Sequence, residues 1–443
     1  MSSESDMNLG GKESGGSIPD GWKLKTVGEF SNVKRGASPR PIKDPNWWGG
    51  SVGWVRISDV TSSRKYLTKT TQYLSNEGVE KSVKIKQGEV VLSICATIGR
   101  PIIINVDACI HDGFVWFDKL ENSISREYWY YFLASKEEFL GAQRQSGTQG
   151  NLNTSIVSDL PCLLPPLPEQ KKIAAILSSV DDVIEKTQAQ INKLKDLKTG
   201  MMQELLSPRE GTGQPQGVGK NGKGHTEFKD SPIGRIPVGW SVVSISKHVL
   251  ETKSGASLKP SDFSDEGFEV IPKKSVQFGG KLITDNKTYC TRSYAESTPK
   301  SIVDKTYIVT VLRDLVPTGP NIGLIVEIDG NTSYLMAQGV YGFKLDDDLH
   351  GGYLAQLSNT DWYRREMRKI LVGSTQVHIR SSEFFEVMIP KPTIEEQVKI
   401  HTLLDSVDTK INSLRKKVNS LSGAKKGLMQ ELLTGKIRVK VDQ

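Results

Sequence analysis

Residues Pro165–Leu206 read PPLPEQKKIAAILSSVDDVIEKTQAQINKLKDLKTGMMQELL, and residues Pro392–Leu433 read PTIEEQVKIHTLLDSVDTKINSLRKKVNSLSGAKKGLMQELL. Nineteen of the 42 positions are identical without a gap, at a constant distance of 227 residues. They include Glu169-Gln170 with Glu396-Gln397, Ser179-Val180-Asp181 with Ser406-Val407-Asp408, and Met202 to Leu206 with Met429 to Leu433. The chain is an internal duplication, and that governs every later reading.

Each copy carries a helical seam. In the first it runs through Ile173, Leu177, Val180, Ile184, Thr187, Ile191, Leu194, Lys198, Met201 and Leu205. In the second it runs through Ile400, Leu404, Val407, Ile411, Leu414, Val418, Leu421, Lys425, Leu428 and Leu432. The steps alternate between four and three, the spacing of a coiled-coil interface. A lysine, Lys198 or Lys425, sits at the same seam position in both, where a polar residue can fix register. Prolines Pro165, Pro166 and Pro168 precede the first helix, Pro390 and Pro392 the second, and Ser207-Pro208 and Thr434-Gly435 close them. Helices of ~38 residues are roughly 57 Å long. Mutual pairing gives both seams a partner. An antiparallel pair needs no linker that returns the full helix length.

Working outward, Ile18-Pro19-Asp20-Gly21-Trp22 recurs as Ile236-Pro237-Val238-Gly239-Trp240, and Gly36-Ala37-Ser38 as Gly255-Ala256-Ser257. Thr148-Gln149 recurs as Thr375-Gln376. Little else matches between these landmarks. The chain therefore divides into a globular part (1–160), a repeated helix (161–206), a Gly-rich polar stretch read as a flexible linker (207–232), a second globular part (233–388) and a C-terminal helix (389–437). The expected fold class is α+β: two mixed α/β domains held apart by two long antiparallel coiled-coil helices with pseudo-two-fold symmetry. Short β-branched runs, Val91–Ile94 and Ile102–Ile104, then Ile308–Leu312 and Ile322–Val326, read as strands. The aromatic-rich stretches Tyr128–Phe139 and Tyr353–Met367 read as helices contributing to the cores.

With 443 residues the chain exceeds one ordinary core. Mean hydropathy is −0.36, no apolar run approaches the ~20 residues of a membrane span, and the polar start lacks a signal-peptide core; a cytosolic location is expected. Cys95, Cys109, Cys162 and Cys290 are too far apart for a zinc or disulfide pattern, so no metal site is expected. A net charge of +7 leans mildly towards a polyanion. Asp44-Pro45-Asn46-Trp47 lacks the second proline of an amino-methyltransferase motif. The phosphate-loop imitation Gly217–Gly224 lacks its Ser/Thr and any flanking strand. No catalytic residue is assigned.

Basic and polar residues of the irregular segments are the candidate DNA contacts. Lys34, Arg35, Ser38, Arg40 and Lys43 surround the first Gly-Ala-Ser, and Lys253, Ser257, Lys259, Lys273 and Lys274 the second. Arg144, Thr148, Gln149, Asn151 and Asn153, matched by Thr375, Gln376, His378 and Arg380, precede the two helices. Lysines suit phosphates, whereas Arg, Asn, Gln and His suit base edges. For any single residue a solvated surface position is an equally good reading.

Two divergent domains, each introduced by Ile-Pro-x-Gly-Trp and followed by a repeated P-x-x-x-E-Q helix ending in M-Q-E-L-L, resemble the specificity subunits of type I restriction–modification enzymes. The stretch Gly88–Gly99 (GEVVLSICATIG) fits the same family; the second copy loses that wording at Leu312–Gly323. The resemblance implies two target recognition domains that read a split, asymmetric DNA site, with the helices as a ruler. It further implies two methyltransferase subunits using S-adenosylmethionine on adenine and two motor/nuclease subunits using ATP and Mg, with no cofactor in this chain. A stand-alone DNA-binding protein of the same architecture and a coiled-coil scaffold without a DNA role remain open alternatives at this level.

Overall fold

A computed structural model of the protein describes residues 18–143, 152–208, 217–218, 224–285, 287–314, 316, 318–374 and 376–441. The two long helices are Leu167–Leu206 and Ile394–Leu433, 40 residues each. Pro168 lies within the first turn rather than before it, where a missing N–H costs no hydrogen bond. The chain forms two compact units: one takes the residues up to Thr187 and those from Lys417 onward, the other takes Gln188–Lys416. Each unit thus combines a globular domain, the start of the helix that follows it and the end of the other helix.

Within each unit the helix segments are antiparallel, and a half-buried ion pair marks it. In the first unit Lys425 Nζ lies 2.7 Å from Asp181; in the second Lys198 Nζ lies 2.7 Å from Asp408. A seam lysine near one helix end therefore meets an aspartate near the other's start, twice and in the same register. The apolar seam is closed around these pairs: Ile173, Leu177, Ile191, Ile400, Leu404, Ile411 and Leu414 are buried. Val180, Ile184, Leu194, Val407, Val418 and Leu421 are half-buried. Each fully buried aliphatic contributes about 1.5–3 kcal/mol. Leaving an ammonium among them without a counter-charge would offset much of that gain, so the aspartates are required by the lysines.

The two domains share one topology. The first has a sheet ordered Asn32–Arg35, Phe114–Asp118, Val90–Ser93, Pro101–Ile104, Tyr66–Leu67, and a second ordered Gln72–Leu74, Trp48–Val55, Ala108–Ile110, Val83–Ile85. In the second domain Val249–Ser254, Val340–Leu345, Ile308–Val311 and Ile325–Glu327 repeat the first four places of the first order, and a single parallel bridge between Lys281 and Glu327 stands in for the fifth strand. Tyr289–Cys290, Phe268–Ile271, Tyr334–Met336 and Ile302–Val303 repeat the second, with Phe263–Ser264 added at its edge. Even the parallel pairing of Trp48–Val55 with Ala108–Ile110 recurs, as Phe268–Ile271 with Tyr334–Met336. The strand expected at Ile322–Val326 starts only at Ile325, because Gly323 turns the chain with a φ of +76°.

Period-two alternation explains how the main sheet is buried on both faces. Val90 and Leu92 enter the core with Trp129 and the helix layer, while Val91 enters the core between the sheets. Ile308 and Leu312 join Tyr353 and Trp362, while Val309 and Val311 join Ile271 and Met336. The expected aromatic helices each break in two: Arg126–Ser135 then Glu137–Ala142, and Gly351–Ser358 then Asp361–Lys369. In the second pair Thr360 caps the new helix through its side chain.

The repeated Trp and Glu-Gln join each domain to its helix. Trp22 Nε1 donates to Glu169 (3.2 Å) and Trp240 Nε1 to Glu396 (3.1 Å). Gln170 accepts from the Ser125 N–H and donates to the Ser123 and Pro165 carbonyls. Gln397 does the same with His350, Asp348 and Pro392. The segment after the opposite helix completes each clasp: Arg438 pairs with Glu169, whereas the Val218 N–H and His225 Nε2 reach Glu396 at 2.9 Å. Part of the stretch expected to be a flexible linker is therefore tied down. Phe228–Lys229 also pairs antiparallel with Ile236–Pro237.

Candidate nucleic-acid interface

At one edge of each domain, strand ends from both sheets converge on a shared backbone frame. In the first domain Gly36 N–H donates to Phe114 O (2.9 Å), Ala37 N–H to Ile110 O (3.2 Å), Ile94 N–H to Gly113 O (2.9 Å) and Leu152 N–H to Ile94 O (3.0 Å). In the second Gly255 N–H donates to Val340 O (2.9 Å), Ala256 N–H to Met336 O (2.8 Å), Leu312 N–H to Gly339 O (3.1 Å) and Ile379 N–H to Leu312 O (3.0 Å). These bonds equate Cys95 with Arg313 and Asp112 with Gln338. The repeated glycine is a packing requirement: a Cβ would stand 2.2 Å from His111 O at Gly36 and 2.0 Å from Ala337 O at Gly255.

The side chains carried by that frame differ. In the first domain Asp112 is a hub. Ser38 Oγ donates to its carboxylate at 2.6 Å, Arg40 pairs with it at 3.1 Å and Arg35 Nε donates to its carbonyl. The Ser38 hydroxyl, then the Arg40 charge, hold the carboxyl below its usual range against partial burial. Burial pushes the neighbouring His111 imidazole down, towards its neutral form. The structure thus brings Arg35, Ser38 and Arg40 together. It places Lys34 one residue back on the strand, against Asp118, and leaves Lys43 exposed.

In the second domain the same edge forms a cleft of about 330 Å³ lined by Lys273, Arg313, Asp314, Gln338, Gln376, Val377 and His378. Arg313–Asp314 and Val377–His378 make a short antiparallel ribbon with Arg313 opposite His378. Lys273, Gln376 and His378 were read from sequence; Arg313 and Gln338, like Asp112 in the first domain, were not. Arg313 follows an apolar run and Gln338 sits in the three-residue gap Ala337–Gly339 between two strands, so neither stood in an evidently polar loop.

Other candidates fall elsewhere. Lys253 is structural, donating to Ile302 O at 2.8 Å and lying over the Tyr307 ring. Asn153 caps the helix Thr154–Ser158 through its side chain. Arg380 precedes Ser381–Phe385 and pairs with Glu383. The Ser257 carbonyl accepts from the Tyr294 hydroxyl. Lys259 and Lys274 are exposed. Arg144, Thr148, Gln149, Asn151 and Thr375 lie outside the described residues. A wider cleft in the first unit, about 1560 Å³, sets Arg64, Lys65 and Arg100 against Asp181, Asp182 and Glu185. Its mixed charge suits a polyanion poorly. Among the described residues no group of three His, Cys, Asp or Glu side chains could hold a metal ion, and no helix is long and apolar enough to cross a membrane.

Fold and edge together define a class: a duplicated binding protein whose two α/β modules share a frame, differ in the side chains at one edge, and are each clasped to a long helix. The chain belongs to the family described as the type I restriction modification DNA specificity domain, whose sequence model matches residues 19–196 and 237–422. It is 28% identical over 431 residues to the type I restriction enzyme MjaVIII specificity subunit of Methanocaldococcus jannaschii, covering 96% of this chain and 94% of the relative. To the EcoBI specificity subunit of Escherichia coli it is 20% identical over 428 residues, covering 95% and 86%. The crystal structure of a type I restriction-modification S subunit from M. genitalium matches with a TM-score of 0.56 at 14% identity, over 93% of this chain and 96% of that one. A structure from work on assembly and conformational transition of the type I R-M system gives 0.56 at 16% identity, over 95% and 100%. These likenesses show the fold.

Proposed function

We propose that this chain is the DNA-reading, non-catalytic subunit of a type I restriction–modification complex, each domain recognising one half of a split, asymmetric site. The observation that carries this reading is the duplicated frame with different edge chemistry. Two identical readers would select a symmetric site, whereas an Asp112-centred edge and an Arg313-lined edge select different half-sites. The long helices act as a ruler for the gap between those halves, and at 40 residues each, ~60 Å of helix exceeds the ~34 Å of one DNA turn.

In this reading the chemistry belongs to partners. Two methyltransferase subunits with S-adenosylmethionine flip and methylate the target adenines, and two motor/nuclease subunits supply ATP- and Mg-dependent cleavage. The test is a methylation map of DNA from cells expressing the chain with its neighbouring methyltransferase. A bipartite motif that appears only when both are present is expected. No new adenine methylation, despite a proven complex and an active partner, would leave a regulatory DNA-binding protein instead.

A further inference from the structure

The cleft of the second domain gathers six polar side chains from four separate segments: Lys273, Arg313, Asp314, Gln338, Gln376 and His378. Among the described residues the Arg313 guanidinium has neither a hydrogen bond nor an ion pair, and Arg313, Gln338 and Gln376 are exposed. The contrast with the first domain is chemical. There the hub position is a carboxylate that engages Ser38 and Arg40. Here Gln338 takes the hub position, and the one carboxylate of the cleft, Asp314, accepts the Val316 N–H.

We propose that Arg313 reads a guanine in the half-site recognised by the second domain, with Lys273 holding a flanking phosphate; this rests on the chain being a DNA-reading subunit. Guanine presents two adjacent acceptors, N7 and O6, in the major groove, and no other base does. A guanidinium with two parallel N–H donors matches that pair, and a two-stranded ribbon is narrow enough to enter the groove. Arg313 stands on such a ribbon, steadied by its antiparallel register with His378. Lys273 belongs to a different segment, the turn Lys273–Ser275 that follows Phe268–Ile271, and its ammonium offers charge without a planar pattern.

The experiment compares methylation maps of the native chain, Arg313→Gln and Lys273→Ala, each co-expressed with the neighbouring methyltransferase. Salt-dependent DNA binding of each complex is measured alongside. The native motif is expected to contain a guanine in the half lost when residues 233–388 are exchanged. Arg313→Gln should lower the preference at that guanine by about 5- to 150-fold and leave the other half unchanged. Lys273→Ala should weaken all sequences alike and lower the salt slope by about one. A native bipartite motif with no guanine in that half, or one that Arg313→Gln leaves unaltered, overturns the assignment alone. So does a uniform loss of affinity in Arg313→Gln, which would make Arg313 a phosphate contact. A native complex that produces no bipartite motif overturns the underlying reading and the assignment with it. Arg313 is exposed, so an unchanged melting temperature separates these outcomes from misfolding.

Discussion

The edge of the first domain is knotted around a carboxylate, while the same edge of the second is an open, cation-lined cleft. Asp112 draws Ser38, Arg40 and Arg35 towards itself; Gln338, its counterpart, leaves Arg313 and Lys273 facing the cleft. Yet four backbone hydrogen bonds beneath them coincide to within 0.4 Å. The frame has been held while the chemistry on it has changed. A protein whose halves must fold alike and recognise different partners needs that division of labour, and each part of it can be tested.

The largest effect should come from the frame. Gly36→Val and Gly255→Val both drive a side chain into a backbone carbonyl one residue past the end of a paired core strand, Ala108–Ile110 or Tyr334–Met336, which has little room to move aside. Each should destabilise its own unit by about 3 kcal/mol, read as a fall in the midpoint of urea unfolding. Similar losses at the two glycines sharpen the comparison. A large loss at one and a negligible loss at the other would break it, since the two frames would then not be equivalent.

Next come the seam lysines. Asp408 accepts from Lys198 and from Gln356 of the second domain, as Asp181 accepts from Lys425 and from the Tyr131 hydroxyl of the first. The aspartates therefore couple the helix pair to each domain as well as to each other. Lys198→Met leaves a largely buried carboxylate with one amide partner and should cost about 1–3 kcal/mol. The double variant Lys198→Met/Asp408→Leu should cost less than the single one, because no charge is left stranded. A double variant as unstable as the sum of the two singles would show that the pair does not interact across the seam. The same cycle at Lys425 and Asp181 checks whether the halves agree.

The helices and the duplication were legible in the sequence because heptad spacing and a 42-residue repeat are local patterns. Fold class followed from them. The topology of the domains was less legible: strands such as Val90–Ser93 and Ile308–Val311 are buried on both faces, so their sequence shows no alternation from which to read a register. Gly36-Ala37-Ser38 and Gly255-Ala256-Ser257 were visible as a match, but the reason, a close approach to His111 O and Ala337 O, lies 75 and 82 residues downstream. Polar residues beside these landmarks could be nominated, which found Ser38, Arg40, Gln376 and His378. Asp112, Arg313 and Gln338 come to the edge only through strand pairing, so no local pattern pointed to them. The fates of Lys253 and Asn153 show the converse: a basic or amide residue in the right loop can be consumed by a carbonyl or a helix cap.

The smallest effect concerns acid. The Ser38 hydroxyl, and after it Arg40, hold the Asp112 carboxyl below its ordinary value, so the folded first domain prefers the ionised form. Its contribution is complete above the unfolded pKa of about 3.9 and is lost as the pH falls through the lower folded value. The side chain is 42% exposed, so solvent screening keeps the effect within about 1 kcal/mol. Gln338, which holds the corresponding position in the second edge, carries no titrating group. Amide hydrogen-exchange protection at Gly36 and Ala37 should therefore decline relative to Gly255 and Ala256 between about pH 5 and pH 3. The Asp112→Asn variant should remove that difference. Parallel decline at both edges in the native chain would mean that Asp112 does not hold the first edge together, and the contrast between a knotted and an open reader would be one of appearance only.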